Sequence, residues 1–404
     1  MQRSNVLILI PNLGKGGAQQ VYRDQLQLYA KYGQVLGCVF NWDGSFEEER
    51  QLGIVSLNVP AGSNVVSKIY FFFKRVYRLR KIKREHSIDI SISHLEGGDY
   101  VNILSRRNEK IICWIHGTKK YDGEIAGVIG WIRKKILIPR LYEKSNLIIT
   151  VSEGIRKELI QIFGLSPIKI KTIFNGISVS DVEQAARIAG SGIFPPSLKS
   201  HFTLITHCRL ARQKNLGALL KIFATLKKNK SVKLVILGDG ELREQLIDQC
   251  KSLYLATFSC WEKEEFNESY DVYFMGYQTN PYTYLAKASL YLMTSSWEGF
   301  PLALCEAMAC QIPVMASDCY TGPREILAPE IQSDTPIVLP YTSASGILMP
   351  LADSDNSIRL WSTTVDRVLA DVPLRTRVAK GGSERVRAFD KSIINKQWLE
   401  IMEG

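Results

Sequence analysis

The sequence predicts two doubly wound α/β domains, each built on a parallel β-sheet that is covered by helices on both faces. Short apolar segments alternate with segments of helical period along the whole chain, which is typical of βαβ units. The 404 residues are too many for one domain of ordinary size. A stretch rich in glycine, proline and small residues, 178–200, divides the segments into two series.

The individual elements follow from this alternation. In the first series we predict strands at 6–10, 35–40, 89–93, 111–115, 147–151 and 170–174. The second series gives strands at 203–207, 233–237, 272–275, 290–294 and 313–316, and the long connection 252–270 has no predicted element. We therefore place a first domain at 1–178, a linker at 179–200 and a second domain at 201–382, and we expect a last helix, 383–404, to pack back on the first domain.

The composition excludes several classes of protein. With 46% apolar and 23% charged residues, the chain does not fit a disordered, collagen-like or coiled-coil protein. Its apolar runs are shorter than the ~20 residues of a membrane span, and its first residues lack a signal-peptide pattern, so a cytosolic location is expected. Eight scattered cysteines without a CxxC pair predict reduced thiols, and five histidines without ligand spacing predict no metal site and no cofactor.

The formal charge of +11 is concentrated in one half of the chain. Residues 1–195 contain 28 Lys and Arg against 17 Asp and Glu, whereas residues 196–404 contain 23 of each. This asymmetry indicates an acidic partner for the first half, which could be nucleic acid, an anionic membrane or a phosphorylated substrate.

The segment 68–84 is the most basic part of that half. It contains no acidic residue, and its apolar and aromatic residues recur at helical spacing between the cations. This pattern predicts an interfacial membrane helix, with headgroup contacts from Lys74, Arg75, Arg78 and Lys81, which a second basic cluster at 133–140 could extend. The alternative is a helix whose apolar stripe faces its own core and whose charges are merely solvated.

A glycine-rich segment, PNLGKGGAQQ at 11–20, follows the first strand and precedes a helix. Gly14, Gly16 and Gly17 allow close approach of a ligand to the backbone, and a helix N-terminus attracts anions. The segment is not a dinucleotide fingerprint, because Gln19 takes the place of its third glycine, and it is not a Walker loop. Anion contact is therefore predicted, with a simple tight turn as the alternative.

Two further motifs belong to the second domain. In HCRLARQKN at 207–215, Arg209 and Lys214 lie across a strand-to-helix turn, where two cations can meet one phosphate group. In SSWEGFPLALCEAMACQIPVMASD at 295–318, Glu298 precedes an apolar helix and Glu306 lies inside it, so both acids could accept from ligand hydroxyls. The alternatives are a solvated cation pair, a helix-start carboxylate at Glu298, and a Glu306 bonded to backbone.

The chain resembles the retaining glycosyltransferases of the GT-B fold, specifically the large family four, which uses nucleotide-activated sugars. The resemblance spans nearly the whole length and includes two acids separated by seven residues, Glu298 and Glu306. It rests on GGA at 16–18, IHG at 115–117, TVSEGIRKEL at 150–159, IFNGI at 173–177, RLARQKN at 209–215, ILGDGELREQL at 236–246, FMGY at 274–277 and EGFPLALCEA at 298–307.

The resemblance implies two Rossmann-like domains that face a cleft, and it implies a role for each matching residue. The implied diphosphate contacts are Arg209, Lys214, Gly16, Gly17 and the backbone of Phe300, Pro301 and Leu302. Glu306 would accept from ribose hydroxyls, Glu298 would contact the donor sugar, Gly276 and Tyr277 would frame the base, and His116 would approach the sugar. Two departures from the family pattern are Cys208, where glycine is usual, and Gln19, where an acid is common.

The resemblance implies a retaining glycosyltransferase, and the lack of metal-ligand spacings favours one that needs no metal ion. We expect it to move a sugar from a nucleotide sugar, with UDP favoured, to a lipid-linked saccharide or glycolipid during surface polysaccharide assembly, as a peripheral protein on the cytosolic membrane face. The alternatives are a sugar-nucleotide-binding protein without transfer activity, a basic nucleic-acid-binding protein, and a sugar-nucleotide epimerase of similar architecture. The sequence does not specify the donor sugar, the acceptor, the linkage or the oligomeric state.

Overall fold

In the computed structural model the chain divides into two units, Met1–Asn175 with Ile394–Gly404, and Gly176–Ile393. The structure describes residues 4–14, 16–41, 53–121, 127–188, 201–228, 231–262 and 265–403. None of the helices in these ranges combines the length and the apolarity that crossing a membrane requires.

Unit 1 contains a seven-stranded parallel sheet of order β3-β2-β1-β4-β5-β6-β7. The strands are β1 Val6–Ile10, β2 Val35–Val39, β3 Ile54–Ser56, β4 Ile90–His94, β5 Lys110–Ile115, β6 Leu147–Thr150 and β7 Ile170–Thr172. Every residue of β1 is buried, as expected for a central strand covered on both faces. The strand order reverses between β1 and β4, and ligands of such sheets bind outside the carboxyl ends of strands at this switch point.

The helices of unit 1 are α1 Gly17–Tyr29, α2 Val65–Glu85, α3 Glu96–Leu104, α4 Gly127–Ile132, α5 Ile138–Tyr142 and α6 Glu153–Gln161. A π-helical segment, Arg133–Leu137, joins α4 to α5. Helix α2 begins with a capping box, in which Asn64 Oδ1 accepts from Ser67 N at 2.8 Å and Ser67 Oγ accepts from Asn64 N at 3.0 Å.

Unit 2 contains an eight-stranded sheet of order β10-β11-β9-β8-β12-β13-β15-β14. The strands are β8 Phe202–His207, β9 Val232–Leu237, β10 Thr257–Ser259, β11 Val272–Phe274, β12 Leu290–Met293, β13 Val314–Ser317, β14 Tyr341–Thr342 and β15 Ile347–Met349. All neighbouring strands are parallel except β14 and β15. Its switch point lies between β8 and β12.

The helices of unit 2 are α7 Val179–Ala186, α8 Leu216–Lys227, α9 Arg243–Ser252, α10 Tyr282–Leu285, α11 Leu302–Ala309, α12 Pro323–Leu327, α13 Asp355–Ala370 and α14 Val372–Val386. Helices α8 and α13 pack together over β8 and β9, and the apolar side chains between these elements form the main core of the unit. Trp361 of α13 is fully buried there, and its Nε1 donates to Pro350 O at 2.8 Å.

The structure confirms the predicted fold class and all eleven predicted strands, with ends that differ by at most two residues. It adds four short strands, β3, β10, β14 and β15, which have two or three residues each. Strand β10 lies in the connection 252–270, to which the sequence assigned no element.

Two predicted boundaries differ from the structure. The linker predicted at 179–200 begins as helix α7, because buried Val179 and Val182 pack this segment against α10 and α11; residues 189–200 lie outside the described residues. The helix predicted at 383–404 is two helices, since α14 ends at Val386 and α15 spans Lys391–Glu403. The last residues of α15 belong to unit 1, where the Trp398 ring packs 4.2 Å from the Trp114 ring.

Candidate functional site

The two motifs of the second series meet at the switch point of unit 2. Strand β8 pairs with β12, so the loops that follow them lie side by side at the carboxyl edge of the sheet. Ser296 N donates to Gln213 O at 2.8 Å and joins the two loops. The sequence predicted that each motif lies at this edge of the sheet, and the structure adds that their strands are neighbours.

Lys214 and Glu298 form a mostly buried ion pair between these loops. Lys214 Nζ lies 2.7 Å from Glu298 Oε1, and Gln213 Nε2 donates to Glu298 Oε2 at 3.2 Å. Burial lowers the pKa of Lys214, but the charge of Glu298 outweighs it and the net effect is a raised pKa. The ammonium group is therefore held protonated and fixed at the edge of the sheet.

Glu306 of α11 has side-chain partners on two other elements. His207 Nε2 lies 2.6 Å from Glu306 Oε2, and Tyr282 OH donates to Glu306 Oε1 at 3.3 Å. The side chain of Glu306 remains 24% exposed. The alternative of a Glu306 bonded to backbone does not describe these contacts. His207 and Tyr282 were not singled out from the sequence, although His207 ends a predicted strand at the same edge.

The spacing predicts that Arg209 and Lys214 point towards one site, but in the structure Arg209 lies elsewhere. Its side chain is 67% exposed and its NH2 group lies 3.1 Å from Glu241 Oε2, so the two cations are paired with different acids. The loop between them is tied down by its backbone, because Leu210 N donates to Asp239 O and Leu210 O accepts from Leu242 N, both at 3.0 Å. The convergence of the two cations on one group is thus not present in the structure.

The segment 300–302 leads into α11 as predicted. Phe300 is buried against the Phe389 ring at 5.1 Å, Pro301 is the N-cap residue, and Leu302 is the first helical residue. Gly322 has a φ of 90°, and a Cβ there would lie 2.8 Å from Pro301 Cδ, so only glycine lets this backbone pass beside the start of α11.

Gly276 and Tyr277 follow β11 at the same edge of the sheet. Gly276 has a φ of 65°, and a Cβ there would lie 2.8 Å from Cys260 Sγ, so the position requires glycine. Gly276 O accepts from Gly238 N at 2.7 Å, and Tyr277 is exposed.

The glycine-rich segment of unit 1 ends in α1, with Gly16 as the N-cap residue and Gly17 as the first helical residue. Lys15 lies outside the described residues. Asn12 Oδ1 accepts from Gln19 Nε2 at 2.9 Å and braces the segment. A Cβ at Gly17 would meet nothing within 4 Å, so the backbone faces open space on this side.

His116, at the end of β5, belongs to a chain of three side chains. His94 Nδ1 lies 2.8 Å from His116 Nε2, and His94 Nε2 lies 2.9 Å from Gln25 Oε1. Because the amide oxygen only accepts, His94 carries its proton on Nε2 and accepts at Nδ1 from His116. Burial and the charge of Lys119 lower the pKa of His116 to about 3, and the imidazole is neutral at pH 7. Its Nδ1 is buried without a hydrogen-bond partner among the described residues.

Glu158 of α6 fixes the loop after His116. From the sequence, Glu158 was recognised only as part of the motif at 150–159. The buried carboxylate accepts from Thr118 Oγ1, from Lys119 N at 2.6 Å and from Lys120 N at 3.1 Å. Within the described ranges, the structure has no group of three or more His, Cys, Asp or Glu side chains that could hold a metal ion.

Helix α2 has two apolar stripes rather than one. Phe72, Val76 and Leu79 pack on the core of unit 1, whereas a second stripe is exposed, with Val66 at 79% and Tyr77 at 70%. The other exposed members of this outer stripe are Val65, Ile69, Tyr70 and Phe73. The alternative, in which the apolar residues of α2 face the core of their own domain, therefore holds for the inner stripe only.

Two of the predicted headgroup cations on α2 have intramolecular partners instead. Arg75 NH2 donates to Pro60 O and Arg78 NH1 donates to Asn58 O, each at 2.8 Å, so these arginines hold the segment 57–60. Lys74 Nζ lies over the Tyr70 ring at 5.7 Å, and the exposed Lys81 pairs with Glu85 at 3.6 Å. The prediction is thus corrected for Arg75 and Arg78.

Solved structures with the same fold cover nearly the whole chain. HepE of Anabaena in complex with UDP and glucose has a TM-score of 0.71 at 19% identity, over 99% of this chain and 100% of that chain. Sucrose-phosphate synthase of Thermosynechococcus elongatus has a TM-score of 0.75 at 17% identity, over 99% and 98%. The two parallel-sheet units are those of the GT-B fold.

Relatives and family models point to one class of enzyme. A Campylobacter jejuni N-acetylgalactosamine-N,N'-diacetylbacillosaminyl-diphospho-undecaprenol 4-alpha-N-acetylgalactosaminyltransferase is 28% identical over 98% of this chain and 99% of its own length. An uncharacterized glycosyltransferase of Methanocaldococcus jannaschii is 28% identical over 82% and 83%. The model for glycosyl transferases group 1 matches residues 196–384, and the model for glycosyltransferase family 4 matches residues 15–181. The chain belongs to the group 1 glycosyltransferases with the GT-B fold.

Proposed function

We propose that this glycosyltransferase moves a sugar from a nucleotide sugar, with UDP as the favoured nucleotide, to a lipid-linked saccharide or glycolipid at the cytosolic face of a membrane. The name of the Campylobacter jejuni relative supports a lipid-linked acceptor, and a lipopolysaccharide 1,6-galactosyltransferase of Escherichia coli is 28% identical over 45% of this chain. The UDP and glucose in the complex of HepE support the donor class. Surface polysaccharide assembly is the process that these names favour.

The observation that carries the proposal is the pairing at the switch point of unit 2. The leaving nucleoside diphosphate gains negative charge as the anomeric bond breaks, and a fixed cation stabilises this charge without reorganisation. Lys214 is such a cation, since Glu298 and the burial around it hold the ammonium group in place. The N-terminus of α11, two residues after Phe300, adds favourable backbone dipoles. In this proposal no metal ion is needed to neutralise the leaving group.

The other residues have roles that follow from their partners. Arg209 turns from Glu241 to the diphosphate, because an ion pair between two exposed side chains contributes little and is readily exchanged. Glu298 contacts a donor-sugar hydroxyl with the lone pairs that Lys214 and Gln213 leave unused. His116, which directly follows β5, approaches the donor sugar. The transfer retains the anomeric configuration by attack on the leaving-group face, with the diphosphate taking the acceptor proton.

Turnover of nucleotide sugars on lipid extracts from the source cells tests the proposal. We expect transfer from one member of a panel of UDP, GDP and ADP sugars, in the presence of EDTA, and an α-linked product from an α-linked donor. Glu306→Ala should abolish transfer, whereas Glu384→Ala, which removes an exposed carboxylate on α14, should leave it unchanged. An undiminished rate for Glu306→Ala, or an inverted product, would contradict the assignment.

The outer stripe of α2 supports a membrane-surface location. Aromatic and aliphatic side chains are exposed along three turns, and Lys68, Lys74, Arg80, Lys81 and Arg84 lie on the same helix. Such a helix lies in the headgroup region with its apolar side chains inserted, and each nearby cation contributes about 1 kcal/mol on an anionic surface. We therefore propose that α2 binds the protein to the leaflet that contains the acceptor.

A further inference from the structure

The hydrogen bonds of Glu306 hold its carboxylate in one orientation, which is more than burial in an apolar helix requires. Each of its two oxygens receives one protein donor, His207 Nε2–H at Oε2 and Tyr282 O–H at Oε1. A carboxylate oxygen can accept two hydrogen bonds, so one acceptor position per oxygen is left. The side chain is 24% exposed, so a ligand can reach the carboxylate.

Both donors are held by their own surroundings. His207 is the last residue of β8, and its ring packs edge-on against the buried Tyr291 ring at 5.5 Å. Tyr282 is the first residue of α10, and burial, followed by the charge of Glu306, raises the pKa of its hydroxyl. The hydroxyl is thus protonated at neutral pH and can act as a donor.

The remaining acceptor positions suit one kind of ligand group. Two parallel lone pairs on a fixed carboxylate match two neighbouring hydroxyl donors, as in the cis-diol of a ribose. A carboxylate that rotated freely would accept a hydrogen bond from only one of the two hydroxyls at a time. It would therefore distinguish poorly between a ribose and a deoxyribose. Discrimination of this kind is strong where a buried polar group would otherwise lose a partner.

We propose that His207 and Tyr282 are positioning residues that orient Glu306 so that it reads both hydroxyls of the nucleotide ribose. This inference rests on the proposed function, because it takes Glu306 to be the ribose acceptor. It assigns a role to two side chains whose importance is not visible in the motif of two acids, and His207 lies 99 residues from its partner in the sequence.

The test compares each nucleoside diphosphate with its 2'-deoxy form by isothermal titration calorimetry, using the full chain. All nucleotides contain the ribose, so whichever of UDP, GDP and ADP binds most tightly serves as the probe. The wild type should bind the ribonucleotide at least about 10-fold more tightly than the deoxynucleotide. His207→Phe keeps an aromatic ring but loses the donor. In this variant the ratio of the ribonucleotide affinity to the deoxynucleotide affinity should fall towards 1, while the affinity for the deoxynucleotide changes little.

Three further variants separate positioning from folding. His207→Gln can place an amide N–H near the position of Nε2 and should recover most of the ratio, and Tyr282→Phe should lower it about 3-fold to 10-fold. His86→Phe, the same substitution at the exposed end of α2, should leave it unchanged. Thermal unfolding of each variant establishes that it is folded.

The outcomes distinguish the two hypotheses. A wild type that binds no nucleotide, or binds ribo and deoxy forms equally, overturns the proposed role of Glu306 and this inference with it. The inference alone is overturned if the wild type prefers the ribonucleotide and a folded His207→Phe shows the same preference. Loss of the ratio in His207→Phe with recovery in His207→Gln supports it.

Discussion

The Lys214–Glu298 pair shows how one contact serves both stability and chemistry. The carboxylate is almost fully buried, and its two oxygens receive Lys214 and Gln213. Such a pair is costly to break from one side, because the remaining charge stays buried without its partner. The same burial makes the ammonium group more effective towards a phosphate, since water screens a mostly buried charge less than an exposed one.

Substitution of Lys214 alone should therefore be more harmful than substitution of both partners. We expect Lys214→Met to lower the free energy of unfolding by about 3 kcal/mol. The double variant Lys214→Met, Glu298→Gln should recover most of this loss, because neither side chain is charged. Urea denaturation measures both values, and a titration with UDP should show weak binding in both variants. Restored UDP binding in the double variant would show that Lys214 acts only on stability.

A second residue-scale prediction concerns His116, whose pKa is lowered to about 3 by burial and by Lys119. The unfolded histidine has a pKa of about 6.5, so below that pH the unfolded chain binds a proton that the folded chain does not. Its contribution to stability is present above about pH 6.5 and is lost as the pH falls towards 3.

The consequence can be measured by urea denaturation at pH 7 and pH 5. We expect the wild type to lose about 2 kcal/mol of stability through His116 over this interval. In His116→Gln, which does not titrate, the loss on acidification should be smaller by that amount, and His86→Gln, at an exposed position, should behave as the wild type. An equal loss in the wild type and His116→Gln would mean that the imidazole is already charged at neutral pH or is exposed.

The residue-scale contacts also mark the limit of what a sequence predicts. Motif spacing located Lys214, Glu298 and Glu306 at one sheet edge, because parallel strands end there. It could not show that Lys214 pairs with Glu298 across 84 residues, or that Arg209 pairs with Glu241 nearby. Pairing depends on side-chain rotamers and loop paths, which leave no periodic signal in the sequence.

At the scale of elements, prediction succeeded where an element had a strong pattern. Strand β1 has five consecutive buried apolar residues, and β9 has four after Lys233, and both strands were predicted within one residue. Strands β10 and β15 have three residues each, too few for a period to be read. Helix α7 was missed because its small residues resemble a linker, although Val179 and Val182 fix it to unit 2.

Helix α2 carries the prediction that belongs to this scale. Serine substitutions at Phe73 and Tyr77 remove two exposed aromatic side chains and leave the residues of the inner stripe unchanged. We expect binding to phosphatidylglycerol-containing vesicles to fall at least about 10-fold, because each inserted aromatic ring contributes about 1.5–3 kcal/mol. Co-sedimentation measures the bound fraction.

The matched control replaces two exposed apolar side chains of unit 2, Tyr254 and Val372, by serine. This variant should bind vesicles as the wild type does. If both double variants lose binding equally, the interaction is a general effect of surface hydrophobicity, and α2 is not the site. Equal binding of the wild type to neutral and anionic vesicles would remove the role of the cations.

At the scale of the molecule, the two units differ in charge and in the predicted site residues that they contain. The basic excess lies in the first half of the chain, and the Lys214, Glu298 and Glu306 contacts all lie within unit 2. Unit 1 contributes the glycine-rich start of α1 and the His94–His116 pair. We therefore expect a nucleotide without its sugar to protect mainly unit 2, and the segment around His116 to respond when the sugar is present.

Hydrogen exchange read by mass spectrometry tests the division on the whole chain. UDP at 100 times its Kd should slow exchange by up to about 100-fold in peptides that contain 207–216 and 294–304, because binding stabilises the bound form by about 2.7 kcal/mol. Peptides at 113–120 should respond only to the complete nucleotide sugar, since His116 approaches the donor sugar in the proposed function. Protection of unit 1 peptides by UDP alone, with none in unit 2, would reverse the assignment and move the diphosphate to the glycine-rich segment.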